Sequence, residues 1–473
     1  MNETNQGSKS TEVSSIPSRV TTPNDSSHRT AEAHRFIQNE LEQNDGMTKD
    51  RQNVLTSALD FVARFSHPSL PQPNLNVLDT EEDLVSGSTP PELLYMMLPG
   101  TFDAHETDSK TFHWPDHITG PTLQRMLLYL IDNEGNDQTA LHYRAMLMQY
   151  LGNMSYSWNL TAFASRMLMS LNLHAVETTD EIDDETQASL YWCYYLDKVL
   201  SCLFVRQPSL PKLRIDPASM IPVNSANPLQ TTVKIMVEMA KIQEEVLEMQ
   251  LNQDVVADKS RVDAIVISAD SLLALIKETR SSVPLEFQLD FDAAEFGHAA
   301  VLANVFKCSR WSRVYQHRCL DSARKALTVL AAMLDREDQQ SDTADQYPSF
   351  LTWTVLLYPL TPYFVLFCNV VASSHKPDFD LMRHVTESMS RFIDANEWIH
   401  KVHGLFHDFL VLCDPLMGQT VSDDMTTGES ELLLVDGANL GYANSTEERL
   451  IWELSASQPS LDWFNVPLLR DSF

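Results

Sequence analysis

The chain has 473 residues, 43% hydrophobic and 21% charged, which is ordinary for a soluble globular protein of about three domains. Its 34 Lys and Arg against 65 Asp and Glu leave a net charge of −31. A chain of that sign repels phosphate polyanions and anionic headgroups unless its few cations gather in one place, which argues against a basic nucleic-acid-binding protein and against a membrane-surface protein.

Residues 1–50 are rich in Ser, Thr, Asn and Gln, with Phe36 as the only aromatic. They bury too little apolar surface to offset chain entropy and read as a disordered arm with no apolar core of a secretory signal. From Arg51 the pattern turns helical: Val54, Leu55, Leu59, Val62 and Phe65 recur every three to four residues. Helices are expected to start at Pro91 and after Pro121, and long ones near 138–151, 158–173, 184–205, 228–252, 260–280, 294–336, 350–373, 378–392 and 394–413. No alternating strand run is long enough to matter, and thirteen glycines leave little turn chemistry for a β fold. Residues 51–417 therefore read as an all-α body, helix packed on helix. The row Ile235, Met239, Ile242, Val246, Met249 has a coiled-coil spacing over barely two heptads and reads as bundle core.

Residues 350–372 carry no charge and are long enough to cross a bilayer. Pro359 and Pro362 break the run near its middle, so it reads as two buried helices meeting at a kink. From Gly418 the helical pattern dissolves. Residues 418–473 hold ten acids and two bases, with bulky apolar residues interleaved up to LDWFNVPLLRDSF. That is the composition of an acidic activation segment, with Trp463, Phe464, Leu468 and Leu469 as its contact residues. With −3 in the arm and −8 in this tail, the helical body itself carries −20.

The six cysteines, Cys193, Cys202, Cys308, Cys319, Cys368 and Cys413, form no CxxC pair and read as reduced and buried. No two glycines lie two apart, so the phosphate-cradling GxGxxG and Walker loops are absent, as are GxSxG and HExxH. One metal constellation is spaced for a single helix face: Glu397, His400, His403 and His407, at intervals of 3, 3 and 4. A polar stripe on an amphipathic helix has the same spacing and is the favoured reading. His113 and His117 flank Pro115, which spoils a helical pair. Positive charge collects at Lys307, Arg310, Arg313, His317, Arg318, Arg324 and Lys325, either a phosphate site or, the favoured reading, a face complementing acidic helices of the same chain.

Three stretches together resemble the regulatory middle domain of the fungal zinc-cluster (Zn2Cys6) transcription factors. The first is Leu171-Asn172-Leu173-His174, closing a helix. The second is LYWCYYLDKVLSCLFVRQPSL, with Tyr191, Trp192, Tyr194, Asp197, Lys198, Leu200, Ser201, Arg206 and Pro208 on the family pattern. The third is LLYPLTPYFVLFCNVV, with Pro359, Pro362 and Phe364, followed by Asp378 to Met382. CLDSARKAL, from Cys319 to Leu327, also looks like the family's Ala-Arg helix. The resemblance spans roughly residues 90–413. Asn172 and Val205 stand where the family usually has Gly, and Gln187, Ala188 and Ser189 replace an Arg run. Read from the residues alone, Leu190, Tyr194 and Asp197 share a helix face, and Asp197 is placed to accept a bond from a cation such as Arg206, as a structural lock rather than a catalytic acid.

The resemblance implies a nuclear regulator of RNA polymerase II transcription, of the kind that serves metabolic or secondary-metabolite pathways, that is not an enzyme. Its implied partners are coactivators or another DNA-bound regulator, with room for a small-molecule effector. The family's zinc cluster needs six thiolates within about forty residues, and no cysteine precedes Cys193. The family's zinc and its direct DNA contact are therefore not carried over: no cofactor is expected, and DNA is reached through a partner, or else an upstream exon supplies the cluster. Two alternatives remain: an adaptor or inhibitory partner without activation of its own, and a helical metal-dependent enzyme using His400, His403 and His407.

Overall fold

The computed structural model describes residues 52–58, 154–221, 228–251, 259–284, 288–309, 313–340, 350–358, 360–393 and 397–417, with Arg35, Lys49 and Gln458 as single positions. Among these residues the protein is all-α, with ten α-helices and no strand. They are α1 (Met154–Ser170), α2 (Asp184–Phe204), α3 (Pro228–Leu251), α4 (Lys259–Ser282), α5 (Gln288–Cys308), α6 (Arg313–Gln340), α7 (Phe350–Trp353), α8 (Thr361–Ser373), α9 (Lys376–Met389) and α10 (Glu397–Met417).

Two helices are apolar around most of their circumference and lie at the centre, as such helices must. α5 buries Phe291, Phe296, Val301, Val305 and Phe306 on different faces, and touches α3, α4, α6, α7 and α8. α8 buries every residue from Thr361 to Cys368 and touches α5, α6, α9 and α10. The amphipathic helices enclose them. Gly297 marks where α5 lies closest to its neighbours: a Cβ there would come within 3.2 Å of both Met239 Sδ on α3 and the Tyr358 ring. The row Ile235, Met239, Ile242, Val246, Met249 is buried in the bundle, on a helix that packs against α2, α4 and α5.

Two expected helices are interrupted. The periodic run 294–336 breaks after Cys308, where the Ser309 hydroxyl donates to the Val305 carbonyl (2.9 Å) and its N–H to Phe306 (3.0 Å). That tighter turn ends α5 with neither Gly nor Pro to announce it, and α6 starts at Arg313. The charge-free run at 350–372 divides more sharply than two helices at a kink. α7 is a single turn, residues 354–358 form a turn, and Pro362 enters the first turn of α8, where its missing N–H costs nothing. Pro359 lies outside the described residues. No helix among the described residues is long and apolar enough to cross a membrane.

α10 runs four residues further than the pattern suggested and holds Pro415 inside its last turn. Tyr363 of α8 joins this end of the bundle: its ring stacks on Phe406 at 3.7 Å, and its hydroxyl meets the Thr386 hydroxyl (2.8 Å) and the Met382 and Phe406 carbonyls (3.3 and 3.2 Å). Phe364 and Phe367 meet Phe409 at 5.6 and 4.5 Å. Aromatic pairs of this kind contribute about 0.5–1.5 kcal/mol each beyond their buried area.

Candidate functional site

The residues of the second stretch fold into one unit. Asp183 caps α2, accepting the Thr186 N–H at 2.8 Å, a bond that lowers its pKa. Residues Leu190 to Leu200 are then all buried. At the other end the Arg206 N–H bonds the Ser201 carbonyl (2.9 Å) and the Val205 N–H bonds Cys202 (3.3 Å). This pair of bonds is a Schellman motif, which requires a left-handed residue between them, and Val205 supplies it at φ 51°. The chain then returns through Pro208, bringing the Ser209 and Leu210 amides onto the Asp197 carboxylate at 2.7 and 3.1 Å.

The cation on Asp197 is Lys198, at 3.2 Å, and not the Arg206 expected from spacing. Successive helix residues point about 100° apart, so the long lysine stem is what brings the ammonium back beside its neighbour. Lys198 also donates to the Leu210 carbonyl (2.7 Å) and pairs with Glu244 of α3 (3.2 Å), which accepts the Tyr194 hydroxyl at 2.8 Å. Asp197 and Lys198 are each 1% exposed. Burial pushes the Asp197 carboxyl up, while the ammonium and two amides pull it down. Arg206 instead lays its guanidinium over the Trp158 ring of α1 (4.8 Å) and over Phe204 (5.3 Å). The charged members Asp197, Lys198 and Glu244 thus hold one another.

Leu171-Asn172-Leu173-His174 closes α1 with a left-handed residue too: Asn172 has φ 60° and its N–H bonds the Met169 carbonyl. Leu171 is exposed, and Leu173 and His174 are half-buried. Further along, Asp378 at the start of α9 is 2% exposed. It accepts both arms of Arg324 from α6 (2.8 and 3.0 Å) and Asn369 from α8 (2.7 Å), while His375 Nδ1 accepts its N–H. Lys325 pairs with Glu295 at 2.9 Å and Arg318 lies over Phe306 at 4.6 Å. These members of the cationic helix face thus serve the bundle's own packing. His317 is exposed.

On α10, His400 and His407 are exposed and His403 is half-buried, bonded to the Thr386 backbone. Burial, followed by the two neighbouring imidazoles, lowers the His403 pKa. The three share a face, yet no group of three or more His, Cys, Asp or Glu that could hold a metal occurs among the described residues. Burial also pushes the thiols up, Cys202 and Cys319 to about 12, and Cys193, Cys368 and Cys413 higher still. Protonated thiols are poor nucleophiles and poor metal ligands.

One arrangement was not foreseen. Lys307, near the end of α5, sits among Cys202, Cys308, Cys319 and Cys368, and burial lowers its pKa. Its Nζ donates to Gln458 Oε1 at 2.5 Å. The same oxygen lies 3.1 Å from the hydroxyl of Thr361, the first residue of α8, which is 3.0 Å from Asn304 Oδ1. The available signal was Asn304 and Lys307 at i and i+3 on the apolar second half of the helix. The remaining candidates, Trp463, Phe464, Leu468 and Leu469, with Arg310, His113, His117 and the arm and early helices apart from residues 52–58, lie outside the described residues, as do the side chains of Glu397 and Arg313. Comparison with protein families, with curated proteins and with solved structures returned no match.

Proposed function

We propose that this chain is a nuclear transcription regulator of the fungal zinc-cluster class, whose helical body is the regulatory domain and whose acidic tail recruits coactivators. The observation that carries the reading concerns its two departures from the family pattern. Asn172 and Val205 occupy positions where the family has Gly, and both have positive φ. Glycine is the residue that a left-handed backbone asks for. A left-handed backbone at both positions is what glycine would serve there, and this supports the reading. The charge of −31 supports action through a DNA-bound partner rather than by a direct grip on DNA.

In this reading the chain does no chemistry and needs no metal. The test tethers the full chain to a heterologous DNA-binding domain upstream of a reporter. Activation that disappears when Trp463, Phe464, Leu468 and Leu469 are changed to Ala is the expected result. Activation unchanged by those substitutions removes the tail from the proposal. Silence of the unaltered chain turns it toward an adaptor or inhibitory partner.

A further inference from the structure

The Lys307 niche is built for a negative charge that no described residue supplies. Two donors, the Lys307 ammonium and the Thr361 hydroxyl, converge on a single oxygen, Gln458 Oε1, at 2.5 and 3.1 Å. An amide oxygen carries only a partial charge. Among the described residues the ammonium meets no carboxylate, whereas Lys198, Lys241 and Lys325 each meet at least one. The thiols around it do not neutralise it either, because burial keeps Cys202 and Cys319 protonated up to about pH 12. A charged donor enclosed with a neutral acceptor bears a desolvation cost that an anion would offset.

The niche also has separable walls. Asn304, Lys307 and Thr361 belong to α5 and α8, the rigid centre of the bundle. Gln458 comes from a position 151 residues away, in the C-terminal tail. Withdrawing that one side chain leaves the donors in place and an opening the size of a short acyl amide.

We infer that Lys307, Thr361 and Asn304 form a binding site for a small organic carboxylate, occupied in this structure by the chain's own Gln458, which the ligand displaces. Lys307 grips one carboxylate oxygen, and the Thr361 hydroxyl turns its single proton from Asn304 Oδ1 to that oxygen. Displacing Gln458 removes its two hydrogen bonds to the body, so the ligand loosens the tail. The inference stands whether or not the chain regulates transcription.

The test uses the full chain, with propionate and propionamide as probes that copy the Glu and Gln side chains, at ionic strength matched with sodium chloride. In a Gln458→Gly variant, whose niche is open, propionate should raise the melting temperature and bind about tenfold tighter than propionamide, the difference between a charged and a neutral hydrogen-bond acceptor. Adding Lys307→Met should abolish that preference. A Gln458→Glu chain should melt higher than the unaltered one and ignore propionate, since its own carboxylate fills the niche. In the unaltered chain, propionate but not propionamide should speed trypsin cleavage after Arg449 and Arg470, which flank Gln458 in sequence. Equal responses of the Gln458→Gly chain to propionate, propionamide and chloride overturn the site. Should Lys307→Met fail to fold, the response of the Gln458→Glu chain decides: a persisting propionate effect in that chain refutes competition at Gln458.

Discussion

Lys198 is buried and Lys307 half-buried in this bundle, and their surroundings differ. Lys198 lies between Asp197 and Glu244, with the Leu210 carbonyl completing its shell, so that each buried charge is opposed by another. Lys307 ends on the amide of a distant glutamine among uncharged thiols. The first lysine ties consecutive pieces of one fold together: α2, its return loop and α3. The second joins the bundle centre to the tail. Removing one partner of a closed ion-pair set strands the others, whereas removing a cation that faces only neutral groups strands little. Both ammonium groups lose solvent, and the partner decides what each lysine does.

The largest effect should follow from breaking the closed set. Lys198→Met leaves Asp197 buried against two amides alone and Glu244 short of its cation. We expect a loss of about 3–5 kcal/mol in chemical denaturation, the range for an uncompensated buried charge. Converting Asp197 and Lys198 together to apolar residues should recover part of that loss. A double variant as unstable as the single one would show that the return loop, and not the charge balance, governs the site.

Next comes the turn that lets the return loop form. Val205 is β-branched and left-handed, a conformation that costs an L-residue roughly 1–2 kcal/mol. Val205→Gly removes that strain and gives back some through the greater freedom of the unfolded chain. A net gain of about 1 kcal/mol is expected as a raised melting temperature. Asn172→Gly should change stability by less than about 0.5 kcal/mol, because Asn tolerates the same region. Equal responses at the two sites would mean that Val205 is not strained.

Much of the fold was legible in the sequence. The apolar periods of α2, α3 and α4 put their ends within two residues of the observed ones, because amphipathic helices carry their own registration. Asp197 stood out through its position one turn beyond an aromatic row. Its cation did not, because helical spacing favours i+3 and i+4 partners over the adjacent Lys198 with its flexible stem. The end of α5 was hidden because Ser309 closes it with hydrogen bonds rather than with Gly or Pro. Beyond Asn304 and Lys307 at i and i+3, the Lys307 niche was hidden: its parts come from α5, α8 and the tail, and no local pattern encodes a meeting of three distant segments. The seven site residues of the third stretch and the tail divide likewise. Pro362 and Phe364 fall on α8, Pro359 and the tail aromatics outside the described residues.

Proton uptake separates the two regions from the rest of the bundle. His298 of α5 is buried, with Nε2 on the Ala269 carbonyl at 2.8 Å and Nδ1 without a hydrogen-bond partner. Burial lowers its pKa, and burial with two imidazole neighbours lowers that of His403. The unfolded chain therefore binds these protons first as pH falls below about 6.5. The stability they contribute is complete above that value and is lost as pH falls through the folded pKa values. Denaturation curves stepped downward from pH 7.5 should show this decline, and His298→Gln should flatten it. A decline that Lys198→Met flattens instead would assign the acid sensitivity to the Asp197 set.

The smallest effect on stability is expected at Lys307, and it is the sharpest test of the contrast between the two lysines. Lys307→Met keeps most of the stem volume, removes an ammonium whose burial is unfavourable, and leaves behind an amide that still has Thr361 as donor. No carboxylate among the described residues is stranded. The change should lie within about 1 kcal/mol of zero, as apolar replacement of buried charge is often neutral or stabilising. A loss as large as that of Lys198→Met would mean that Lys307 is held by an anion after all, and the two lysines would then be alike. A near-neutral result leaves an ammonium kept inside the bundle at a cost to folding, the pattern expected of a group retained for what it binds rather than for what it holds together.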